Sequence, residues 1–240
     1  MRSPSAAELI RVWELGQGAD NWYRGLLLLA PLFPTRSLRD LSAIALGTRN
    51  AYLLALRSRL FGPLLEAIVT CPKCTVRIEF SIAIETLLER RPPDCDSAYA
   101  TRFVLEHGNV PIAYRLLCSD DLKDVADAPP SRAASLLAER AAATVARDSP
   151  ERESLTAELA DAMLTADPLA DINLGIACEA CRYEWSANFD IIVFLWHEIE
   201  AEVQRLFDDV HRLGRAYGWS EAMILTMSSH RRRHYLERVS

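Results

Sequence analysis

The sequence predicts an α+β protein that is mainly helical, with a small β-element split between two distant segments. Three observations predict this fold class. Apolar residues recur at helical spacing toward both ends of the chain. Two CxxC motifs, residues 71–74 and 178–181, each lie between strand-like segments. The stretch between the motifs mixes helical and strand patterns, which predicts an inserted α/β segment.

The composition narrows the function classes. A net charge of −6 and a pI near 5.5 argue against a general nucleic-acid-binding protein, which usually carries a basic excess. The longest apolar run, residues 26–33, contains Pro31 and is too short to span a bilayer. No secretory signal is visible. We therefore expect a cytoplasmic protein without membrane contact, whose cysteines are thiols or metal ligands and not disulfides.

The N-terminal part, residues 1–70, is predicted to be helical up to a strand that enters the first CxxC motif. Its first helix covers residues 5–15, because Ser5 and Glu8 have the spacing of a capping box. The further elements are a helix from Asp20 or Asn21 to Ala30, a helix that is capped by Thr48 and stopped by Gly62-Pro63, and a strand over residues 64–70.

Both CxxC motifs have the same setting, with a strand before and a strand after. Residues 76–82 alternate between apolar and polar, and residues 171–177 and 182–189 flank the second motif in the same way. Two such knuckles supply four thiolates, a closed tetrahedral set that suits Zn²⁺. A closed set has no open position for water or substrate, so the expected metal is structural and the protein is not an enzyme. The predicted ligands of one zinc ion per chain are Cys71, Cys74, Cys178 and Cys181.

The two halves of this site are unusually far apart in sequence. Residues 75–177 separate them, whereas common ribbons have about 15–20 residues between the pairs. The entropic cost of closing a long loop grows only logarithmically with its length, and metal binding offsets it. The predicted parts are therefore the N-terminal helical part, a split zinc ribbon made of residues 71–82 and 171–189, an inserted segment over residues 83–170, and a C-terminal helical part over residues 190–240.

Alternating and helical patterns also predict the individual elements of the inserted segment and of the C-terminal part. The inserted segment is predicted to contain a loop over residues 89–98, a hairpin around Gly108-Asn109, a short helix from residue 119 that ends at Pro129-Pro130, and helices near residues 131–146 and 152–166 joined by a polar turn. The C-terminal part is predicted to contain a long helix from an Asp190 cap to about Tyr217, a short helix capped by Ser220, and a closing basic helix.

Apolar and basic side chains of the C-terminal part are candidates for binding a protein partner. The long helix has an apolar stripe over residues 192–213 with the 4-3 spacing that suits packing along another helix. Large aromatic side chains often dominate the energy of an interface. The arginines at 231–233 would contact an acidic partner or phosphate, or simply favour the end of their own helix. The predicted partner-binding residues are Trp196, Ile199, Val203, Leu206, Tyr217, Trp219, Arg231, Arg232 and Arg233.

Segments near both ends of the chain, within residues 1–82 and 165–238, are distinctive. They read VWELGQG and RGLLLLAPLFP, LSAIALGTRNAYLLALRSRLFGPLLEAIVTCPKC, ADINLGIACEACRYEWSANFDIIVFLWHEIE, and VHRLGRAYGWSEAMILTMSSHRRRHYLE. Together they resemble the T4-type phage baseplate hub assembly chaperone family, whose members accompany phage tails and related contractile injection systems. The resemblance implies a non-enzymatic assembly factor or chaperone whose partners are baseplate hub or other tail proteins, in the cytoplasm during assembly or in the assembled particle.

The knuckles depart from the pattern of this family, which reads CPxCG and CPxCGH. Thr75 and Arg182 replace the glycines, and Glu179 replaces the second proline. Glycine at these positions tolerates a positive φ and leaves backbone N–H groups free to donate to the thiolates. Because all four cysteines are present, zinc is still expected.

Other interpretations of the motifs remain open. The cysteines could form two unrelated pairs, or a redox CxxC, although a redox motif usually begins a helix that lowers the thiol pKa. A zinc-ribbon module that binds nucleic acid or acts in transcription is the alternative function. Cys95 and Cys118 have no partner at ligand spacing, and we expect a loop thiol and a small buried residue. His197 and Glu198 do not form an HExxH motif, and no nucleophile elbow or phosphate-binding loop is present.

Overall fold

The protein is described by a computed structural model over residues 2–90, 97–108, 110–142 and 152–239. The helices are α1 (Ala6–Leu15), α2 (Asn21–Leu29), α3 (Leu38–Ser42), α4 (Leu46–Phe61), α5 (Ile84–Leu88), α6 (Ser119–Val125), α7 (Pro130–Ala141), α8 (Arg152–Ala166), α9 (Ile191–Tyr217), α10 (Glu221–Thr226) and α11 (Ser229–Leu236). The strands are β1 (Leu64–Thr70), β2 (Arg77–Ala83), β3 (Phe103–His107), β4 (Val110–Tyr114), β5 (Ile172–Ala177) and β6 (Glu184–Phe189). The predicted class, α+β and mainly helical, is confirmed.

The chain folds into two compact units. Residues 1–35 and 192–240 form one, which we call the terminal unit, and residues 36–191 form the other, the central unit. These units divide the chain at different places from the predicted parts, because residues 36–70 belong with the hairpins and the inserted segment. Within the described ranges, no helix combines the length and the apolar character needed to cross a membrane.

The terminal unit is built around the apolar stripe of α9. The ring of Trp196 fills the space beside Gly16, where an added Cβ would lie 2.1 Å from a ring carbon. The guanidinium of Arg24 lies 4.5 Å from the centroid of the same ring. Trp13 makes an edge contact with Phe207, with ring centroids 5.8 Å apart. The stripe therefore provides the internal core of this unit.

Helix α4 organises the central unit because each of its ends is fixed by a different part of the chain. At its N-terminus, the carboxylate of Asp167 accepts a 2.9 Å hydrogen bond from the backbone N–H of Gly47. One turn further, the side-chain amide of Asn50 donates to the carbonyl of Leu169 at 2.7 Å. At its C-terminus, Arg57 donates to the carbonyl of Gly62, next to the start of β1, at 2.9 Å. The strand that enters the first knuckle and the segment that enters the second are thus tied to one helix.

The inserted segment has its own apolar core, made by β4, α7 and α8. Ile112, Tyr114, Ala138 and Leu159 are among its buried members. A buried ion pair lies close by, in which Arg115 donates two hydrogen bonds of 2.7 Å to the carboxylate of Asp121.

Arg140 adds a third hydrogen bond to the same carboxylate, at 2.8 Å. Cys118, the expected small buried residue, is fully buried beside this carboxylate and donates its backbone N–H to it at 2.9 Å. The network therefore ties the start of α6 to the end of α7.

Most predicted elements are present, but several boundaries are wrong. Thr48 is not an N-cap: α4 begins at Leu46, and Thr48 is fully buried in its first turn, where Asp167 supplies the cap from elsewhere in the chain. Helix α6 ends at Val125, before Pro129, and α7 ends at Ala141, before the predicted residue 146. The short helices α3 and α5 were not predicted.

Parts of two predicted connections lie outside the described residues. These are most of the loop over residues 89–98, including Cys95, and most of the polar turn between α7 and α8.

Candidate metal centre

Two antiparallel hairpins carry the four cysteines. Strands β1 and β2 pair from Leu64 with Ala83 to Thr70 with Arg77, and residues 71–76 connect them. Strands β5 and β6 pair from Ile172 with Phe189 to Ala177 with Glu184, and residues 178–183 connect them. Each CxxC motif therefore occupies the connection of a hairpin, as the alternating patterns predicted.

The two connections have the same hydrogen-bond pattern. In the first, the N–H of Cys71 donates to the carbonyl of Val76 and the N–H of Thr75 donates to the carbonyl of Cys71, both at 2.9 Å. In the second, the N–H of Cys178 donates to Tyr183 at 2.8 Å, and the N–H of Arg182 donates to Cys178 at 2.7 Å. The shared pattern identifies both connections as knuckles of one type.

The residue after the second cysteine of each knuckle lies in the left-handed region. Thr75 has a φ of 61° and Arg182 has a φ of 55°, and they are the non-glycine residues with positive φ in the described part of the chain. This conformation favours glycine, because a Cβ crowds the backbone there. The knuckle geometry therefore persists although neither position holds glycine.

The four sulfurs form one compact cluster. All four Sγ atoms lie within 4.8 Å of one another. The Sγ atoms of Cys71 and Cys181 are 3.7 Å apart, and those of Cys74 and Cys178 are 3.6 Å apart. A tetrahedral ion with metal–sulfur bonds of about 2.3 Å needs sulfurs about 3.8 Å apart. The cluster could thus hold a metal ion with little rearrangement, and each close pair joins one knuckle to the other.

The backbone around the cluster favours thiolates. Burial raises the pKa of Cys71, but N–H donors from Cys74 and Lys73 outweigh it and hold the pKa at about 7. The N–H of Val76 acts in the same direction on Cys74, where burial and the three neighbouring thiols raise the pKa to about 12. Four thiols at this spacing cannot all ionise without a cation, so a bound metal would relieve their mutual repulsion.

The surroundings of the cluster include a contact between the knuckles. The ammonium of Lys73 lies 5.9 Å from the ring centroid of Tyr183, and this ring stacks on Trp185 with centroids 6.0 Å apart. Cys71 and Cys178 are buried, whereas Cys74 and Cys181 are partly accessible. A metal would therefore sit between the two hairpin connections, buried on the side of Cys71 and Cys178 and partly accessible on the side of Cys74 and Cys181.

The predicted partner-binding residues do not form one surface. Four residues of the α9 stripe are at most 3% exposed, so they serve the core of the terminal unit and are closed to a partner, contrary to the prediction; they are Trp196, Ile199, Val203 and Leu206. Arg232 is also buried, and it pairs with Asp209 at 3.2 Å.

The rest of the predicted set is more accessible. Tyr217 is 38% exposed, Trp219 is half-buried against it with ring centroids 4.5 Å apart, and Arg231 and Arg233 are exposed. Arg231 lies over the ring of Tyr235, 5.8 Å from its centroid. An accessible aromatic and basic patch therefore remains at the end of α9 and on α11.

Sequence reasoning missed the residues that bring the knuckles together. Asp167, Asn50 and Arg57 fix the two ends of α4, but none belongs to a motif with a recognisable spacing. The only available signal was the lack of a good N-cap at Ala45, which leaves the first N–H groups of α4 without a local acceptor.

Fold and site together define a class: a mainly helical α+β protein in which two hairpins, far apart in the sequence, bring together four cysteines that could hold a metal ion. A comparison of the chain with protein-family models, with curated proteins and with solved structures finds no match in any of the three. The geometry of the chain itself therefore carries the functional argument.

Proposed function

We propose that the protein is a non-enzymatic assembly factor for a phage-like contractile tail baseplate, in which one structural Zn²⁺ clasps the two hairpins. The observation that carries the metal part is the cluster of four Sγ atoms within 4.8 Å, contributed by two matching knuckles. Thiolates suit Zn²⁺, and four of them complete its tetrahedral shell. No position is then left for a reacting water, which favours a binding role over catalysis.

The baseplate part of the proposal is supported by the sequence resemblance, which includes the segments around both knuckles. The expected partners are hub or other tail proteins. The accessible patch with Tyr217, Arg231 and Arg233 is the favoured contact surface, because basic and aromatic side chains there would meet an acidic partner surface. The overall charge of −6 does not favour binding along a nucleic acid.

Metal analysis tests the first part. Purified wild-type protein should contain about one zinc per chain, and Cys178→Ser should lose it. Cys118→Ser is the matched control, because its thiol contacts Tyr99 and Asp121 and lies outside the cluster. Zinc-free wild-type protein after purification with zinc in every buffer would refute the metal assignment.

Co-expression tests the second part. The tagged chain should retain a hub or other tail protein encoded beside it, and the double variant Arg231→Glu, Arg233→Glu should weaken this binding at least tenfold. Arg11→Glu and Arg205→Glu, exposed arginines on α1 and α9, should leave it unchanged. Failure to bind any tail protein, with normal tail assembly in a deletion strain, would refute the baseplate role. Salt-dependent binding to nucleic acid instead would favour the alternative module.

A further inference from the structure

The four cysteines of the cluster differ in accessibility in the same way on both knuckles. Cys71 and Cys178, the first cysteines of their motifs, are buried, whereas Cys74 and Cys181, the second cysteines, are partly accessible. A small oxidant in solution can therefore reach one sulfur of each hairpin connection. Oxidation of a cysteine follows this access, and an oxidised cysteine beside a second thiol goes on to a disulfide.

Each accessible sulfur has its close sulfur contact on the other knuckle. The Sγ of Cys181 lies 3.7 Å from the Sγ of Cys71, and the Sγ of Cys74 lies 3.6 Å from the Sγ of Cys178. A disulfide bond is about 2.05 Å long, so each pair needs to approach by roughly 1.6 Å. Both close contacts thus join an accessible cysteine to a buried one across the hairpins, which suits an attacked thiol and a resolving thiol.

The turn within each motif is held by its own backbone hydrogen bonds. The N–H of Thr75 donates to the carbonyl of Cys71 at 2.9 Å, and the N–H of Arg182 donates to the carbonyl of Cys178 at 2.7 Å. A disulfide within one motif would have to reshape this turn, because both of its cysteines belong to it. A disulfide between the motifs leaves both turns as they are and changes only the separation of the two hairpin connections.

We propose that Cys74 and Cys181 are oxidation sites, and that peroxide replaces the metal clasp by two disulfides between the knuckles, Cys71–Cys181 and Cys74–Cys178. This inference rests on the proposed metal site, whose regulation it describes. The thiolate of Cys181 attacks one oxygen of hydrogen peroxide, the O–O bond breaks, hydroxide leaves, and the sulfur becomes a sulfenic acid. The thiolate of Cys71 then attacks this sulfur, the S–S bond forms, the S–O bond breaks, and a second hydroxide leaves. Cys74 and Cys178 react in the same way.

The oxidised chain keeps its two hairpins joined without a metal. Each pair of thiolates loses two electrons, and one molecule of hydrogen peroxide gains them. Once all four ligands are oxidised, the zinc ion leaves as Zn²⁺, since it has no redox chemistry of its own. The new bond between Cys71 and Cys181 links residues 110 positions apart, and a link over so long a loop strongly restricts the unfolded chain.

Disulfide mapping by mass spectrometry tests the proposal. Zinc-loaded protein with Cys95→Ser is treated with hydrogen peroxide, its remaining thiols are blocked in acid, and it is digested. Peptides linked through Cys71–Cys181 and Cys74–Cys178 should appear as zinc is released. Cys118 should remain a thiol, because it contacts Tyr99 and Asp121 and no other cysteine. Links within the motifs, Cys71–Cys178 links, links between chains, or sulfinic acids without links would overturn the proposal, as would retention of zinc in excess peroxide.

Cys181→Ser distinguishes the two pairings by the thiol that stays free. Without its partner on the second knuckle, Cys71 should take up an alkylating reagent after oxidation, whereas Cys74 and Cys178 should be linked. If the links form within the motifs, Cys178 is the free thiol instead, and the proposal is wrong. Should this variant not fold, the mapping of the chain with all four cluster cysteines decides.

Urea unfolding gives a second measurement that needs no variant in the cluster. Oxidised, zinc-free protein should unfold at a midpoint about 1 M higher than reduced, zinc-free protein, because only the links between hairpins close long loops. Equal midpoints would count against these links. Zinc content before oxidation separates the two hypotheses: a chain without zinc overturns both, whereas a zinc-loaded chain that forms other links overturns only the oxidation proposal.

Discussion

Two residues of the knuckles hold a conformation that their side chains oppose. The positive φ values of Thr75 and Arg182 follow from the hydrogen bonds that close each turn, since the N–H of each residue donates back to the first cysteine of its motif. Left-handed backbone costs a non-glycine residue about 1–2 kcal/mol. The cysteine cluster is therefore assembled on locally strained turns.

Replacing Thr75 by glycine should stabilise the folded protein. Relief of the left-handed strain exceeds the entropy that glycine loses on folding, about 0.5–1 kcal/mol, so the free energy of unfolding should rise by about 0.5–1 kcal/mol. Urea unfolding at fixed zinc concentration measures this change. Thr70→Gly, at the end of β1, is the control and should be destabilising. Equal losses in both variants would contradict the strain argument.

The carboxylate of Asp121 makes a pH-dependent contribution to stability. Burial raises its pKa, but hydrogen bonds from Arg115, the N–H of Cys118 and Arg140 outweigh this and lower the pKa to about 2. A lowered pKa in the folded state means that the stabilisation is complete above the unfolded pKa of about 4 and is lost as the pH falls from about 4 to 2. The ionised carboxylate thus contributes about 2 kcal/mol to the free energy of unfolding at neutral pH.

Asp121→Asn reports this contribution directly. At pH 7 the variant should lose about 3 kcal/mol, because Arg115 stays buried without its counter-charge. The difference between variant and wild type should shrink to about 1 kcal/mol near pH 2, where the wild-type carboxyl is protonated. Denaturant unfolding of both proteins across this range gives the measurement. A difference that is constant with pH would assign the loss to packing alone.

At the scale of elements, hairpins and periodic helices could be predicted from the sequence, because their signal is local. The alternation after Cys74 and around the second motif specified β2, β5 and β6, and the capping box at Ser5 specified α1. The start of α4 could not be predicted, since its cap is Asp167, 120 residues away along the chain. Short helices such as α3, five residues long, carry too few turns for a visible period.

Gly47 permits the remote cap on α4. A Cβ at this position would lie 1.7 Å from Asp167 Oδ1 and 2.6 Å from its Cγ, so Gly47→Ala should push the carboxylate away and cost about 3 kcal/mol of stability. Thermal and urea unfolding measure the loss. Gly175→Ala is the matched control, because nothing lies within 4 Å of its added Cβ. A loss of less than about 0.5 kcal/mol in Gly47→Ala would show that the cap contributes little.

At the scale of the whole molecule, the cluster of four cysteines could be predicted from the sequence, but the burial of the α9 stripe could not. The CxxC spacing of the cysteines is itself a local signal for a metal site, and all four cysteines lie in one cluster. A 4-3 apolar stripe looks the same whether it packs inside its own unit or against another chain. Trp196 is a core residue because its ring packs beside Gly16, a contact between residues 180 positions apart that no local pattern encodes.

Metal removal should act on the central unit. If zinc is present at 1,000 times its Kd, its loss lowers stability by about 4 kcal/mol. Trp185 is the single tryptophan among residues 36–191, and it stacks on Tyr183 beside the cluster, so it reports locally. A chelator should shift the emission of wild-type protein, whereas Trp185→Phe should show little change. If the emission and the unfolding midpoint stay the same after verified metal loss, the metal does not hold the two hairpins together.

The cysteine cluster and the terminal unit each combine residues from distant parts of the sequence, and this affects folding during synthesis on the ribosome. Cys71 emerges 110 residues before Cys181, its close neighbour in the cluster, which at about 5–20 residues per second is a delay of roughly 5–20 s. The terminal unit can form only later, because residues 1–35 belong to the same unit as residues 192–240. During this interval the nascent chain displays two unpaired thiols and an uncovered N-terminal helical segment. Neither unit can close before its later residues are made, so the cysteine cluster cannot form until Cys181 has left the ribosome.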